Sequence, residues 1–288
     1  MNIPFGLRAA LVALLVGIAA QSFAQSPPGA APREKHFTPS VGQAGKDVIW
    51  VPSPDQVIER MLRMAQTTAR DTVVDLGSGD GRIVITAAQR FGAQAMGVEF
   101  NPDMVALSRE NARKAGVSDK VEIVQGDFFK VDFSRATVLT MYLLPDLNIK
   151  LRPKILSLRP GTRVVSHSFD MQDWEPDELS LLGGKRAYFW IVPARVDGRW
   201  TLEFVGGEPR RLDIGFEQHF QKLHGYVSLG AVMAGLRDAR LRGTEIRFAY
   251  VDDQGLRRAF TGHVNGTRME GEVRSDQGTT GRWRAFKR

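Results

Sequence analysis

Cysteine is absent from the 288 residues, which excludes disulfide frameworks, thiolate zinc sites, cysteine nucleophiles and thiol redox chemistry. Long apolar runs are absent too, because no stretch reaches the roughly 20 residues that cross a bilayer as a helix. The remaining composition, 43% hydrophobic and 25% charged, is that of a folded globular protein. A chain of this length accommodates two domains of ordinary size.

A basic stripe is also missing, although the formal net charge is +7. Residues 195–288 carry 17 Lys and Arg against 12 Asp and Glu, whereas the first 194 residues carry 22 against 20. The basic residues are scattered among acidic ones, so the pattern favours a solvated basic surface and disfavours a nucleic-acid partner. No metal site is predicted.

The N-terminus has the pattern of an export signal over residues 1–24. Arg8 precedes an apolar run over 9–20, and Ser22-Phe23-Ala24 supplies small residues at the −3 and −1 positions of a cleavage site. The alternative is an uncleaved anchor, but the run is short for a membrane span. We expect cleavage to leave no stable span, and residues 25–45, rich in Pro, Gly, Ala and Ser, to form a flexible leader.

Strand and helix patterns alternate over residues 46–194. Ser53, followed by Pro54 and by Gln56 three positions on, predicts a capped helix start, and Asn101 predicts another. The predicted strands cover 72–76, 95–99, 121–124, 136–142 and 162–167, with a closing hairpin over 178–192. This alternation predicts an α/β fold with a parallel, doubly wound sheet and a ligand at the carboxyl ends of its strands.

The first predicted strand runs into a glycine-rich loop that lacks both common phosphate-binding motifs. A dinucleotide fingerprint needs a third glycine where Arg82 stands, and a P-loop needs a Gly-Lys-Ser/Thr step that is missing. The loop, Asp75 to Gly81, is instead acidic, which repels phosphate and suits a cationic, amino-acid-like ligand. Glu99 lies 24 residues after Asp75 and can accept from both hydroxyls of an unphosphorylated ribose.

In these features the segment 46–194 resembles the class I S-adenosylmethionine-dependent methyltransferases, which have a Rossmann-like sheet. The resemblance implies that the loop surrounds the methionine part of S-adenosylmethionine, that Glu99 holds the ribose, and that Asp127, beside Phe128, contacts the adenine amino group. The implied cofactor-binding residues are Asp75, Gly77, Ser78, Gly79, Glu99, Asp127 and Phe128. A nicotinamide, flavin or merely structural Rossmann-like site is the alternative.

A narrower likeness concerns the acceptor of the methyl group. Residues 51–54, 75–85 and 174–177 resemble the small protein-lysine methyltransferases of the ATP synthase c-subunit type, which implies a lysine acceptor. The fourth strand ends in Met141-Tyr142-Leu143-Leu144-Pro145-Asp146 rather than the Asn/Asp-Pro-Pro-Tyr/Phe of enzymes that methylate adenine or glutamine amides. Tyr142 is the candidate for the acceptor site. His167 could accept a proton, but a lone histidine is more often structural.

Beyond residue 194 the spacing of hydrophobic residues changes from the helical period to a period of two residues, which is typical of strands. Alternating runs such as 200–204, 212–216 and 246–250, with a turn at Asn265-Gly266, predict a small antiparallel β barrel or sandwich of seven or eight strands. We expect a solid interior, and the sequence assigns this all-β domain, residues 195–288, no role.

Two functions follow. One is an exported methyltransferase acting on a protein or small-molecule acceptor, with a protein lysine as the favoured acceptor. The other is an exported, non-catalytic binding protein of the cell envelope with a relic cofactor site. The first function conflicts with the intracellular origin of the methyl donor. Either the signal is misleading, or the enzyme acts before or during export, or the donor is available outside the cell.

Overall fold

The computed structural model describes residues 37–205, 210–278 and 280–288. The predicted export signal and the first part of the predicted leader lie outside these ranges. Residues 42–50, here called the N-terminal hairpin, are held by backbone hydrogen bonds in both directions between Gly42 or Gln43 and Trp50, each 2.9 Å long. None of the described helices combines the length and the apolar character needed to cross a membrane.

A seven-stranded sheet forms the first part of the fold. Its strands are β1 (Thr72–Leu76), β2 (Gln94–Glu99), β3 (Val121–Gln125), β4 (Val138–Met141), β5 (Arg163–His167), β6 (Glu178–Leu182) and β7 (Lys185–Ile191). Their order is β3-β2-β1-β4-β5-β7-β6, with the first five parallel and the β6–β7 hairpin antiparallel. The strand order reverses between β1 and β4, which is where ligands bind in doubly wound sheets.

Both faces of this sheet are covered. The helices are α1 (Asp55–Met64), α2 (Arg82–Phe91), α3 (Pro102–Lys114) and α4 (Pro145–Ile155). Helices α1 to α3 pack with Val73 in one apolar core, and α4 packs with Val74 in the other. Adjacent strand residues thus serve opposite faces, as the pleat requires. The α/β prediction is confirmed.

One helix start is confirmed and another was predicted wrongly. Asn101 caps α3, its side chain accepting from the backbone of Asp103 at 2.9 Å. Helix α1 instead begins after Pro54, with no side-chain cap. Ser53 turns away from the helix, because its hydroxyl bonds to His167.

The C-terminal part is a closed antiparallel barrel. Its strands are β8 (Gly198–Val205), β9 (Arg211–His219), β10 (Lys222–Leu229), β11 (Val232–Gly235), β12 (Arg237–Arg242), β13 (Glu245–Val251), β14 (Arg257–Asn265), β15 (Arg268–Ser275) and β16 (Thr280–Lys287). Eight strands close the ring, since β8 pairs with β16 and β9, and β10 pairs with β9 and β12; β11 extends β10 outside it. Buried aromatic and aliphatic residues fill the interior, among them Trp200, Phe248 and Trp283.

The barrel meets the α/β part at the turn between β9 and β10. Phe220 stacks on Trp174, with ring centroids 5.8 Å apart, and the guanidinium of Arg152 lies 5.2 Å from the Phe220 ring. The buried Gln221 side chain donates to the backbone oxygen of Glu175 at 2.7 Å. These contacts tie the barrel to the loop that follows β5.

Candidate active site

A cavity of about 260 Å³ opens at the carboxyl ends of β1, β2 and β4. It brings together all eight site residues predicted from the sequence: Asp75, Gly77, Ser78, Gly79, Glu99, Asp127, Phe128 and Tyr142. Residues 43–53, which the sequence patterns did not assign to a site, form a further part of its wall. That segment has no helical or strand period, so a periodicity argument could not place it.

The glycine loop, residues 77–81, forms the floor of the cavity. Gly77, Gly79 and Gly81 all have positive φ, a conformation that favours glycine. A Cβ atom on Gly79 would lie 2.6 Å from the indole nitrogen of Trp50, so the loop also needs glycine there for space. The backbone of this loop can therefore approach a ligand closely.

Asp75 lies one residue before the end of β1, beneath the loop. Asp75 is 2% exposed, and its carboxyl group accepts a hydrogen bond of 2.6 Å from the Thr140 hydroxyl. Burial raises the pKa of Asp75 to about 7, opposed by the Thr140 hydrogen bond and assisted by the negative charges of Glu99 and Asp80. A cationic group entering the cavity would favour its ionised form.

Glu99, at the end of β2, holds the neighbouring loops in place. One carboxylate oxygen accepts from the backbone of Gly79 at 2.8 Å and the other from the backbone of Asn101 at 2.9 Å. Each oxygen keeps further lone pairs for a ligand hydroxyl. The geometry is compatible with the predicted ribose contact, and that role stays a prediction.

Asp127 lies at the far end of the cavity, next to the buried Phe128. Its carboxylate accepts from the Lys46 ammonium at 2.8 Å and from the backbone of Phe129 at 2.9 Å. The hydrogen bond from Lys46 is the main reason why the pKa of Asp127 lies below its usual value. Lys46 belongs to the N-terminal hairpin and was missed in the sequence.

Tyr142 and Phe169 form an aromatic wall at the end of β4, here called the acceptor wall. Their rings are stacked with centroids 6.1 Å apart, and both residues line the cavity. The His167 ring lies behind Tyr142, 4.0 Å between centroids. His167 does not line the cavity, and Trp174 is fully buried in the core.

His219 and His224 lie in the barrel. Within the described ranges, no group of three or more His, Asp or Glu side chains could hold a metal ion.

The comparisons with known proteins agree with this geometry. The family model for the ANTKMT methyltransferase domain matches residues 75–178. A protein-lysine N-methyltransferase of Saccharolobus islandicus is 48% identical over 134 residues, 46% of this chain and 83% of that protein. The lysine N-methyltransferase of the ATP synthase c-subunit from Mus musculus is 34% identical over 160 residues, 54% of this chain and 64% of the mouse enzyme.

Among solved structures, one described as an RNA methyltransferase from Salinibacter ruber, in complex with S-adenosyl-L-homocysteine, is similar with 52% identity and a TM-score of 0.50. The match covers 51% of this chain and 96% of that chain. S-adenosyl-L-homocysteine is S-adenosylmethionine without its methyl group, so S-adenosylmethionine is the cofactor. The non-catalytic alternative gains no support from these comparisons. The chain belongs to the S-adenosylmethionine-dependent methyltransferases, in the family that includes the small protein-lysine enzymes.

Proposed function

We propose that this methyltransferase transfers its methyl group to a lysine side chain of a protein. The observation that carries the proposal is the acceptor wall, where Tyr142 and Phe169 face the cavity at the end of β4. An aromatic, partly desolvated wall lowers the pKa of an entering ammonium group and so favours the neutral amine that the reaction needs. The Saccharolobus relative, named a protein-lysine methyltransferase, supports the same acceptor.

In this proposal different cavity residues contact different parts of the cofactor. The glycine loop and Asp75 hold the methionine part, whose ammonium group pairs with the buried carboxylate. Glu99 accepts from the ribose hydroxyls, and Asp127 accepts from the adenine amino group beside Phe128. The strand order β3-β2-β1-β4 places Asp127, Glu99, Asp75 and Tyr142 in succession at one edge of the sheet, which supports the assignment because the methyl group is then near Tyr142.

The cofactor supplies an electrophilic methyl group on a sulfonium centre. The chain has to place the amine nitrogen in line with the carbon–sulfur bond, so alignment contributes most of the rate. As the nitrogen–carbon bond forms, the carbon–sulfur bond breaks and the electron pair stays on sulfur. The amine proton then leaves to water, so no strong base is required from the protein.

Transfer of an isotope-labelled methyl group tests the proposal. The purified full chain is incubated with labelled cofactor and with the protein and RNA fractions of a cell extract, separately. We expect label only in protein, located on lysine by mass spectrometry, and abolished when the acceptor lysines are first blocked by acetylation, which removes the nucleophilic lone pair of the amine. Tyr142→Ala, which removes one of the two rings of the acceptor wall, should transfer at least tenfold more slowly, while Tyr226→Ala in the barrel serves as the matched control.

RNA is the second acceptor to be tested, because the Salinibacter structure is described as an RNA methyltransferase. Label in RNA and none in protein would refute the lysine proposal. Label in protein that survives the blocking of lysines would point to another side chain and would also refute it.

We further propose that the enzyme is exported through residues 1–24. The composition of this segment supports export, and the intracellular origin of the donor counts against it. Fusion of residues 1–45 to a reporter that is active only outside the cytoplasm tests the proposal, with Leu14→Arg as a control that interrupts the apolar run. A reporter that stays inactive would refute export.

A further inference from the structure

His167 is a buried group that the proposed reaction does not use. It ends β5 with 1% of its surface exposed, and its Nδ1 lies 2.9 Å from the hydroxyl of Ser53. Its Nε2 has no hydrogen-bond partner among the described residues. Burial, assisted by the charge of Lys185, lowers the pKa of His167 to about 4, so the ring is neutral at physiological pH.

The His167 ring supports the acceptor wall from behind. Its centroid lies 4.0 Å from that of Tyr142, with 38° between the ring planes. Phe169 is fixed by the same turn, since the Ser166 hydroxyl donates to its backbone oxygen at 2.6 Å and Ser168 has φ of 65°. Displacement of His167 would therefore disturb the ring of Tyr142.

Ser53 also contacts the opposite wall of the cavity. Its backbone oxygen accepts from the guanidinium of Arg82 at 3.1 Å, and Arg82 pairs with Asp80 of the glycine loop at 2.7 Å. Ser53 is itself 3% exposed. Ser53 therefore links the two sides of the cavity. Its hydroxyl contacts His167 behind the acceptor wall, and its carbonyl contacts Arg82 beside the glycine loop.

We infer that Ser53 and His167 are positioning residues that fix the acceptor wall relative to the bound cofactor. The inference rests on the proposed place of the acceptor beside Tyr142. Methyl transfer depends on in-line alignment, so a shift of Tyr142 should slow the chemical step and leave cofactor binding intact. The Ser53–His167 hydrogen bond is the contact that keeps Tyr142 at a constant distance from the cofactor.

Substitution of Ser53 provides the kinetic test. Ser53→Ala should lower kcat by about 10- to 100-fold, while the Kd of S-adenosyl-L-homocysteine stays within about twofold of wild type. Ser53→Thr keeps the hydroxyl and suits the extended backbone before Pro54, so it should restore most of the rate. Ser157→Ala, which removes a hydroxyl bonded to the backbone of Lys154, is the matched control.

A double-mutant cycle separates positioning from proton transfer. His167→Phe keeps a ring behind Tyr142 but loses the bond to Ser53, and in the double variant with Ser53→Ala the two losses of kcat should not add. Loss of activity in His167→Phe alone, with Ser53→Ala fully active, would make His167 a base and overturn the inference. Equal losses of kcat and of cofactor affinity would overturn it too.

A readout without turnover keeps this test independent of the acceptor. Ser53→Ala should shift the NMR signals of the Tyr142 ring in the complex with S-adenosyl-L-homocysteine, and Ser157→Ala should not. Unchanged Tyr142 signals would overturn the inference whatever the acceptor is. Shifted signals together with label on RNA would refute only the lysine proposal.

Discussion

Asp75 is a buried carboxyl group whose ionisation opposes folding of the free protein. Its pKa of about 7 lies above the ordinary value of 3.8, so its contribution to stability is fully present below about pH 3.8 and is lost as the pH rises through 7. A bound cationic ligand lowers the pKa of Asp75, because the ligand favours the ionised carboxylate. Cofactor affinity should therefore depend on pH.

We expect the affinity for S-adenosyl-L-homocysteine to rise about tenfold for each pH unit between 5 and 7 and then to level off. Asp75→Asn should remove this dependence, and above pH 7 it should raise the free energy of unfolding of the free protein. Calorimetric titration at pH 6 in two buffers with different ionisation enthalpies measures the proton released. Binding without proton release would show that Asp75 is not paired with the ligand.

Glu99 carries a second prediction at the residue scale. Glu99→Ala removes a charged acceptor and also releases the backbone amides of Gly79 and Asn101. Cofactor affinity should fall at least tenfold, which corresponds to the roughly 1.5–3 kcal/mol of a hydrogen bond to a charged group. The control is Glu122→Ala, an exposed acid on β3 whose partner is Arg135. Unchanged affinity in Glu99→Ala would overturn the ribose assignment.

At the scale of elements, the N-terminal hairpin is the part of the site that the sequence patterns did not reveal. Apart from its own backbone bonds, its contacts to the cavity include the Lys46–Asp127 ion pair and the packing of Trp50 on Gly79. Most of its residues are exposed, which is typical of a segment of low local stability. In the proposed complex, the adenine amino group would compete with the Lys46 ammonium for the carboxylate of Asp127.

Lys46→Met keeps the length of the side chain and removes the competing charge. We expect cofactor affinity to increase about two- to fivefold, since the carboxylate no longer exchanges one partner for another. Titration calorimetry measures it, and Lys114→Met, which removes a charge that pairs with Glu110 on α3, is the control. Weaker binding in Lys46→Met would instead place Lys46 in the bound state, closing over the adenine.

Elements that depend on neighbouring residues were predicted well. The glycine loop between β1 and α2, the Asn101 cap and the Asn265-Gly266 turn each follow from a few adjacent residues. Ser53 was predicted to cap a helix. Its actual partner, His167, lies 114 positions away in the chain, and a local sequence pattern cannot predict such a contact. Helix α4 begins at Pro145, two residues before its apolar period starts.

At the scale of the whole molecule, the period-two pattern predicted strands but left barrel and sandwich open. Closure depends on the pairing of β8 with β16, the first and last strands of the barrel, and pairing between strands so far apart in the chain is not encoded in a local period. The contact between the barrel and the α/β part is equally non-local. Phe220 lies in a tight turn with positive φ, yet its ring packs against the core of the other sheet.

Phe220 therefore gives a prediction for the molecule as a unit. Its ring is half-buried between Trp174 and Arg152, so Phe220→Ala should lower the free energy of unfolding by about 2 kcal/mol, less than for a fully buried phenylalanine. In a chain of this size the melting temperature should fall by about 4–8 °C. Scanning calorimetry measures this shift.

Hydrogen exchange then shows where the support from the barrel acts. The backbone of residues 171–177 follows the acceptor wall and contacts the barrel through Trp174 and Glu175, so its amides should lose protection in Phe220→Ala. Phe286→Ala is the matched control, because that ring contacts Arg268 and Arg284 within the barrel. Equal protection of 171–177 in both variants would mean that the barrel is attached to the α/β part without stabilising it. A loss confined to Phe220→Ala would show that the barrel stabilises the loop that carries Phe169 of the acceptor wall.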